Sequence, residues 1–215
     1  MKTKIKICGL NSIDEVEAVH KNGAFWYGLI FYEPSPRNIT LEKAKYLVCN
    51  GPSDIKPVAV TVDCNLEKIR KIANIGVKTI QLHGKEDSSF CKYLKNNFDF
   101  EIIKALSIES SSDVLLAKKY IDCVDWILFD YKSRELPGGT GRSFNWEILR
   151  NSKLNYKWIL SGGLDYNNVL SALEITKANA LDVSSGVEDK DGKKSKNLIA
   201  RFCEEVVNYN EFKNV

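Results

Sequence analysis

The chain has 215 residues, of which 44% are hydrophobic and 27% charged, and its formal net charge is +3. This composition is typical of a folded globular protein, and so small a charge, carried by scattered lysines, gives no indication of nucleic-acid binding. No apolar run approaches the roughly 18–20 residues that a membrane-spanning helix needs, so we expect no membrane segment.

Cysteine usage indicates a reducing compartment. The six cysteines are widely spaced and none belongs to a CxxC pair, which argues against both a zinc site and a disulfide framework. Free thiols of this kind are usual in cytosolic proteins, and no signal peptide precedes them. We therefore expect a cytoplasmic protein without a metal.

Eight short β-rich segments alternate with amphipathic segments of helical length, and the fifth helix is expected over 112–121. Ser12 and Glu15 have the spacing of a capping box at the start of the first helix. Such alternation implies parallel strands with right-handed crossovers. A doubly wound open sheet is an alternative, but about 27 residues per unit favour one α/β domain over 1–215, a (β/α)8 TIM barrel. The predicted strands are 5–8, 26–31, 56–62, 79–83, 101–106, 126–130, 157–161 and 180–185.

Cys8 is the last residue of the first predicted strand. In barrels of this kind the reactive groups lie where strands end. Strand alternation puts Lys4, Lys6 and Cys8 on one face and Ile5 and Ile7 on the other. Because two lysines are unsuited to an apolar helix layer, we expect their face to line the barrel, with Cys8 at the active-site end. A small buried structural cysteine is the alternative.

Asp130 ends the sixth predicted strand, which is otherwise apolar. A buried carboxylate without a partner is costly, so we interpret Asp130 as an acid or base at the barrel mouth. Capping of the next turn is the alternative. The glycine-rich loop 131–146 that follows lacks the P-loop pattern and is either a cover for bound substrate or simply flexible.

Glycine-containing turns follow the seventh and eighth strands, as SGGL at 161–164 and DVSSGVE at 182–188. Glycine allows backbone N–H groups to approach an anion, and barrels commonly hold phosphate in these two loops. The pattern therefore predicts a phosphorylated small substrate. Tight turns that need glycine for their conformation alone are the alternative.

Three further segments carry polar side chains. The PSPR segment presents Arg37, which either grips a carboxylate through two parallel hydrogen bonds or is a solvated surface residue. Gln81 and His83 share a face at the end of the fourth strand, and for His83 a hydrogen-bonded structural role is favoured over a catalytic one. The basic stretch 190–196 is interpreted as a solvated loop rather than an anion-binding patch.

Taken together, these motifs resemble the phosphoribosylanthranilate isomerase family of tryptophan biosynthesis. The motifs occur in the family's order along almost the whole chain: KICG, PSPR, QLHG, FDYK, GGTGRSFNW, LSGGL and DVSSGVE. The resemblance implies a (β/α)8 barrel without cofactor or metal. The implied reaction is the Amadori rearrangement of N-(5-phosphoribosyl)anthranilate to the corresponding 1-deoxyribulose 5-phosphate.

The resemblance also implies roles for individual residues. Cys8 matches the general base, Asp130 the general acid, and Arg37 an arginine near the anthranilate. Gln81 and Asp182 match polar positions that line the site. The residues matching the phosphate cradle are Gly162, Gly163, Ser184, Ser185 and Gly186.

Two other functions are alternatives. A different phosphosugar barrel, such as the isomerase of histidine biosynthesis, would resemble a duplicated half-barrel with Asp at the end of strand one, where this chain has Cys8. A non-catalytic barrel that binds a phosphorylated ligand would need neither Cys8 nor Asp130. We expect a phosphosugar partner and a monomer or homodimer, alone or beside other tryptophan-pathway enzymes. As a separate hypothesis, Lys6 lowers the pKa of Cys8.

Overall fold

The computed structural model describes residues 2–131, 146–150 and 154–212. Within them, eight parallel strands form a barrel that closes between β1 and β8, so the predicted (β/α)8 fold is confirmed. Residues 132–145, most of the predicted glycine-rich loop, lie outside the described residues. The strands are β1 Lys4–Cys8, β2 Trp26–Ile30, β3 Lys56–Thr61, β4 Thr79–Leu82, β5 Glu101–Ile108, β6 Trp126–Tyr131, β7 Trp158–Ser161 and β8 Ala180–Val183.

The helices pack outside the barrel, and the first has the predicted capping box between Ser12 and Glu15. The segment expected to be helical over 112–121 is helical over 111–119, where α5 makes one turn and continues as a 3-10 helix over Leu115–Lys119. Its buried residues are Val114 and Ala117, which face the barrel from the same side. The α-helices are α1 Ile13–Lys21, α2 Leu41–Asn50, α3 Leu66–Asn74, α4 Ser88–Asn97, α5 Ser111–Val114, α6 Glu147–Arg150, α7 Val169–Thr176 and α8 Lys196–Phe212.

Aromatic residues pack at the amino ends of the strands, below the aliphatic residues that fill the barrel interior. The rings of Trp26 and Trp126 meet edge to face, 5.1 Å apart, and the indole N–H of Trp126 donates to Glu101 at 2.9 Å. The Lys4 ammonium lies 3.6 Å from the centre of the Phe25 ring. These contacts close the amino end of the barrel, which leaves the carboxyl end for a ligand.

Strand β1 alternates as its sequence predicts. Ile5 and Ile7 pack in the layer between barrel and helices, whereas Cys8 belongs to the interior cluster. The side chain of Lys6 also points inward, where it meets Asp182 of β8. Among the described residues, no helix is both long enough and apolar enough to cross a membrane.

Candidate active site

One cavity of about 250 Å³ opens at the carboxyl ends of β6, β7 and β8. Asp130 lines it together with both loops predicted to hold phosphate. The structure thus brings together a candidate acid and candidate anion-binding backbone that are distant in sequence. The lining residues are Asp130, Tyr131, Ser161, Gly162, Gly163, Leu164, Asp182, Val183, Ser184 and Ser185.

The two glycine-containing loops approach neighbouring backbone closely. Gly162 has φ +95°, and a Cβ atom there would lie 2.7 Å from the Tyr131 backbone nitrogen. Gly186, predicted to bind phosphate, does not line the cavity; a Cβ there would lie 1.9 Å from the Leu164 carbonyl oxygen. Gly186 is therefore placed where the two loops pack against each other.

Cys8 lies at the end of β1 with 5% of its surface exposed. Gly28 of β2 is directly opposite, and a Cβ atom there would lie 2.6 Å from the Cys8 sulfur. Burial raises the pKa of the Cys8 thiol above its ordinary value, and Lys6 lowers it in part. The Lys6 effect has the expected sign, but the net shift is upward because desolvation outweighs one cation.

Lys6 and Asp182 form a buried ion pair beneath the cavity. The Lys6 ammonium donates to Asp182 Oδ1 at 2.9 Å, and the Ser161 hydroxyl lies 3.4 Å from the other carboxylate oxygen. Burial lowers the pKa of Lys6, but Asp182 and Cys8 outweigh it and raise that pKa above its ordinary value. Lys6 thus holds Asp182 in place on the cavity wall.

His83 connects two predicted site residues. One ring nitrogen lies 2.8 Å from the Gln81 amide nitrogen, and the other lies 3.3 Å from Asp130 Oδ2. If the amide nitrogen donates to Nδ1, the proton of the neutral ring is on Nε2, facing Asp130. The hydrogen-bonded role favoured for His83 is therefore a contact with the candidate acid. His20, by contrast, bonds Asp54 at the surface.

Arg37 lies beside Cys8 and already grips a carboxylate of its own chain. A Cβ atom at Gly9 would lie 2.6 Å from Arg37 Cδ, so the arginine crosses the residue after Cys8. Its Nε and Nη2 donate to the two oxygens of Glu188 at 2.6 and 2.5 Å. Hydrogen bonding to Glu188 raises the pKa of Arg37 above its ordinary value.

Lys194 corrects the interpretation of 190–196 as a solvated loop. Its side chain is 2% exposed and donates to Glu188 at 2.5 Å, whereas Lys190 and Lys193 are exposed. Burial lowers the pKa of Lys194, with Glu188 opposing. Local charge density does not reveal such a residue. Its pairing with Glu188, six positions earlier, depends on how the segment between them folds.

A second buried ion pair, not anticipated from the sequence, supports the loop that carries His83. The Lys104 ammonium donates to Glu86 at 2.9 Å and to the carbonyl oxygens of Leu82 and Gly84 at 3.1 and 2.7 Å. Glu86 in turn accepts from the backbone of Asp63 at 2.9 Å. In the described part of the chain, no three His, Cys, Asp or Glu side chains cluster in a way that could hold a metal ion.

Barrels of eight parallel strands carry their reactive groups at the carboxyl ends, and this barrel has its polar cavity there. The fold and site thus define an enzyme of the (β/α)8-barrel class. The sequence matches the family described as N-(5'phosphoribosyl)anthranilate (PRA) isomerase over residues 5–205. The chain belongs to this family of isomerases.

Individual relatives agree over nearly their full length. The N-(5'-phosphoribosyl)anthranilate isomerases of Zymomonas mobilis subsp. mobilis and Agrobacterium fabrum are 38% and 39% identical to it, each over 96% of this chain and over 99% and 96% of their own. The crystal structure of the Thermotoga maritima enzyme superposes with a TM-score of 0.87 at 31% identity, over 96% of this chain and 99% of that one. A phosphoribosylanthranilate isomerase structure in complex with reduced 1-(o-carboxyphenylamino)-1-deoxyribulose 5-phosphate has a TM-score of 0.83 at 28% identity, with the same coverage.

Proposed function

We propose that this enzyme converts N-(5'-phosphoribosyl)anthranilate into 1-(2-carboxyphenylamino)-1-deoxyribulose 5-phosphate, with Cys8 as base and Asp130 as acid. The observation that carries the proposal is the cavity that Asp130 shares with both glycine-containing loops, next to the strand that ends in Cys8. A relative that binds a reduced form of this product supports the same substrate class.

The substrate is held at its two charged ends. The loops at Gly162–Gly163 and Ser184–Ser185 hold the phosphate through backbone N–H groups, a geometry suited to anions, and Gly186 lets the second loop pack against the first. Arg37 holds the anthranilate carboxylate by hydrogen bonds to two of its N–H groups. Gln81 and Asp182 line the space between, where the sugar hydroxyl groups lie.

The first chemical step opens the ribose ring. Asp130 gives its proton to the ring oxygen, the bond between that oxygen and C1 breaks, and the nitrogen lone pair forms a protonated imine. Asp130 must be protonated at that moment, which the nearby substrate phosphate favours because one negative charge opposes another. His83, 3.3 Å away, fixes the orientation of the carboxyl group.

The second step moves a proton from C2. The Cys8 thiolate takes that proton, the electron pair forms a C1–C2 double bond, and the imine becomes an enolamine. Loss of the hydroxyl proton and protonation of C1 then give the ketone. No net oxidation occurs and every atom is accounted for by proton transfers, so we propose that neither metal nor cofactor takes part.

The remaining features of the proposal concern the setting of the enzyme. The chain from 1 to 215 acts as one domain, as a monomer or homodimer, in the cytoplasm, on a small phosphosugar and neither nucleic acid nor membrane. The Thermotoga maritima relative, described as a dimeric enzyme from which monomers were generated, supports either oligomeric state.

The test is loss of phosphoribosylanthranilate fluorescence, with the substrate generated in the assay. Cys8→Ala and Asp130→Asn are expected to fold normally and to lose roughly 10²–10⁴-fold in kcat, as for removal of a general base or acid. Cys49→Ala and Asp191→Asn, at the surface, are the matched controls. A Cys8→Ala enzyme that keeps most of its kcat would overturn the assignment of Cys8 as the base. Substrate binding without turnover by the wild type would indicate a ligand-binding barrel instead.

A further inference from the structure

Glu188 lies between two cations, and the reaction proposed above uses neither Glu188 nor Lys194. The Glu188 side chain is 6% exposed and accepts from Arg37 through both oxygens and from Lys194 through one. Burial raises the pKa of Glu188, but the hydrogen bonds from Arg37 and Lys194 outweigh it and lower that pKa below its ordinary value. Glu188 is therefore a carboxylate under the conditions in which the enzyme works.

The contact with Glu188 determines which N–H donors of Arg37 remain for a substrate. A guanidinium has five N–H donors, and Glu188 takes the one on Nε and one on Nη2. The other edge, formed by Nη1 and the second Nη2 hydrogen, keeps two parallel donors suited to a second carboxylate. The Arg37 side chain is 28% exposed, so part of it remains accessible to a ligand.

Lys194 extends the contact to the phosphate loop, the loop of Ser184 and Ser185 after β8 that holds phosphate under the proposed function. Its ammonium also donates to the Ser184 carbonyl at 2.9 Å and lies 3.2 Å from the Ser184 hydroxyl. That hydroxyl donates in turn to the carbonyl of Cys8 at 3.0 Å. A continuous series of hydrogen bonds thus runs from Arg37 to the loop after β8 and to the end of β1.

The charges in this group have a second effect. Glu188 alone would cancel the charge of Arg37 and weaken its attraction for a substrate anion. Lys194 restores one net positive charge to the trio without competing for the open edge of Arg37. The arrangement orients the arginine and keeps it cationic.

We propose that Glu188 and Lys194 are positioning residues that orient Arg37 toward the substrate carboxylate and fix its distance from the phosphate loop. The proposal rests on the function proposed above and deepens it. The pair then determines specificity for a ribosylated amine that carries both an aromatic carboxylate and a phosphate. Neither residue touches the substrate.

The experiment compares two substrates generated from ribose 5-phosphate, one with anthranilate and one with aniline, which lacks the carboxylate. Glu188→Gln is expected to raise KM for the anthranilate compound roughly tenfold or more, as loss of a charged hydrogen-bond partner does, with kcat changed less than about threefold. For the aniline compound, and in an Arg37→Ala background, Glu188→Gln is expected to leave KM unchanged, because the energetic coupling passes through Arg37.

Lys194→Met is expected to raise KM and also the inhibition constant of inorganic phosphate, because it frees the Ser184 loop. Glu188→Gln is expected to leave that constant unchanged. Exposed Lys193→Met and Glu204→Gln are the matched controls. Glu188→Asp, which keeps the charge but shortens the side chain, replaces Glu188→Gln if that variant does not fold, and the same KM increase is expected.

Each contrary result overturns a different statement. An equal KM increase for both substrates, or an undiminished effect in the Arg37→Ala background, would show that Glu188 is only structural and overturn the inference. If Arg37→Ala itself leaves KM unchanged, the role of Arg37 under the proposed function is wrong. A wild-type enzyme without turnover of the anthranilate compound overturns the proposed function itself.

Discussion

Gly28 faces Cys8 across the β1–β2 pair so closely that a Cβ atom at Gly28 would lie 2.6 Å from the Cys8 sulfur. The absence of a side chain at Gly28 therefore determines where the thiol lies. Since a base must be aligned with the proton that it removes, the position of Gly28 bears directly on the reaction.

Gly28→Ala is expected to lower kcat roughly 10²-fold, the loss that follows from displacing a reacting group by about 1 Å. Steady-state kinetics with a thermal melt check this prediction. Gly192→Ala is the control, because Gly192 lies in an exposed loop with φ +75° and nothing within 4 Å of an added Cβ atom. It should cost some stability and no activity. Wild-type kcat in Gly28→Ala would contradict the assigned position of the thiol.

Lys6 and Asp182 are expected to shift the Cys8 pKa in opposite directions. Burial raises the pKa of Cys8, Lys6 lowers it, and Asp182 raises it further. Lys6→Met should therefore move thiolate formation to higher pH, and Asp182→Asn should move it to lower pH. The measurement is the ultraviolet absorbance of the thiolate against pH, with each variant compared with its own Cys8→Ser counterpart to subtract the other thiols.

The two signs make that comparison selective. A general loosening of the site would expose Cys8 and lower its pKa in both variants alike. Shifts of the same sign would therefore show that solvation, and not the Lys6–Asp182 charges, controls the thiol. Lys6→Met leaves the buried Asp182 carboxylate without its cation. Circular dichroism therefore checks that this variant is still folded.

The Lys104–Glu86 pair is expected to contribute to stability and not to chemistry. Lys104→Met leaves the buried Glu86 carboxylate without its cation, which typically costs about 3–5 kcal/mol. Urea unfolding measures this loss. The double variant Lys104→Met/Glu86→Gln should regain part of it, because no uncompensated charge remains. A double variant less stable than Lys104→Met would show that the backbone contacts of Glu86, not its charge, dominate.

The stability of the protein is expected to fall above pH 9, and Cys203 is one measurable cause. Burial raises the pKa of Cys203 to about 12, so the unfolded chain loses this proton at a lower pH than the folded chain does. Each such group removes up to about 1.4 kcal/mol of unfolding free energy per pH unit between its unfolded and folded pKa values.

Cys203→Ala should therefore flatten the decline of the unfolding free energy between about pH 9 and pH 11 by roughly that slope. The small cavity left by the substitution lowers stability equally at every pH, so the slope separates the two effects. Urea unfolding at a series of pH values measures it, and Cys49→Ala, at the surface, is the control. Parallel pH profiles for Cys203→Ala and the wild type would contradict the prediction.

Local pattern was sufficient to predict the barrel and the approximate bounds of its strands, although β5 continues to Ile108 rather than 106 and β8 ends at Val183 rather than 185. Strand alternation placed Cys8 inside and Ile7 outside, because a two-residue period leaves no other arrangement for an amphipathic strand. The fifth helix changes from an α-turn to a 3-10 helix at Leu115, a change that the apolar pattern of the sequence does not indicate.

The ion pairs of the site were not predictable in the same way. Arg37 and Glu188 are separated by 151 positions, and only closure of the barrel brings them together. A sequence shows that Arg37 suits a carboxylate, but it does not show that a carboxylate of the same chain takes one edge. Lys194 lies only six positions from Glu188, and its burial within a mostly exposed stretch depends on how the turn between the two residues folds.

The aromatic contacts at the amino end have a consequence for how this protein can change. Four positions along β6 separate Trp126, which closes that end, from Asp130 at the other, a distance of about 13 Å. Folding and reactivity are thus encoded at opposite ends of the same strands. A library of variants restricted to the Asp130 end would explore new substrates while every member keeps the same aromatic packing at the amino end. This makes the barrel a suitable parent for selecting new isomerases.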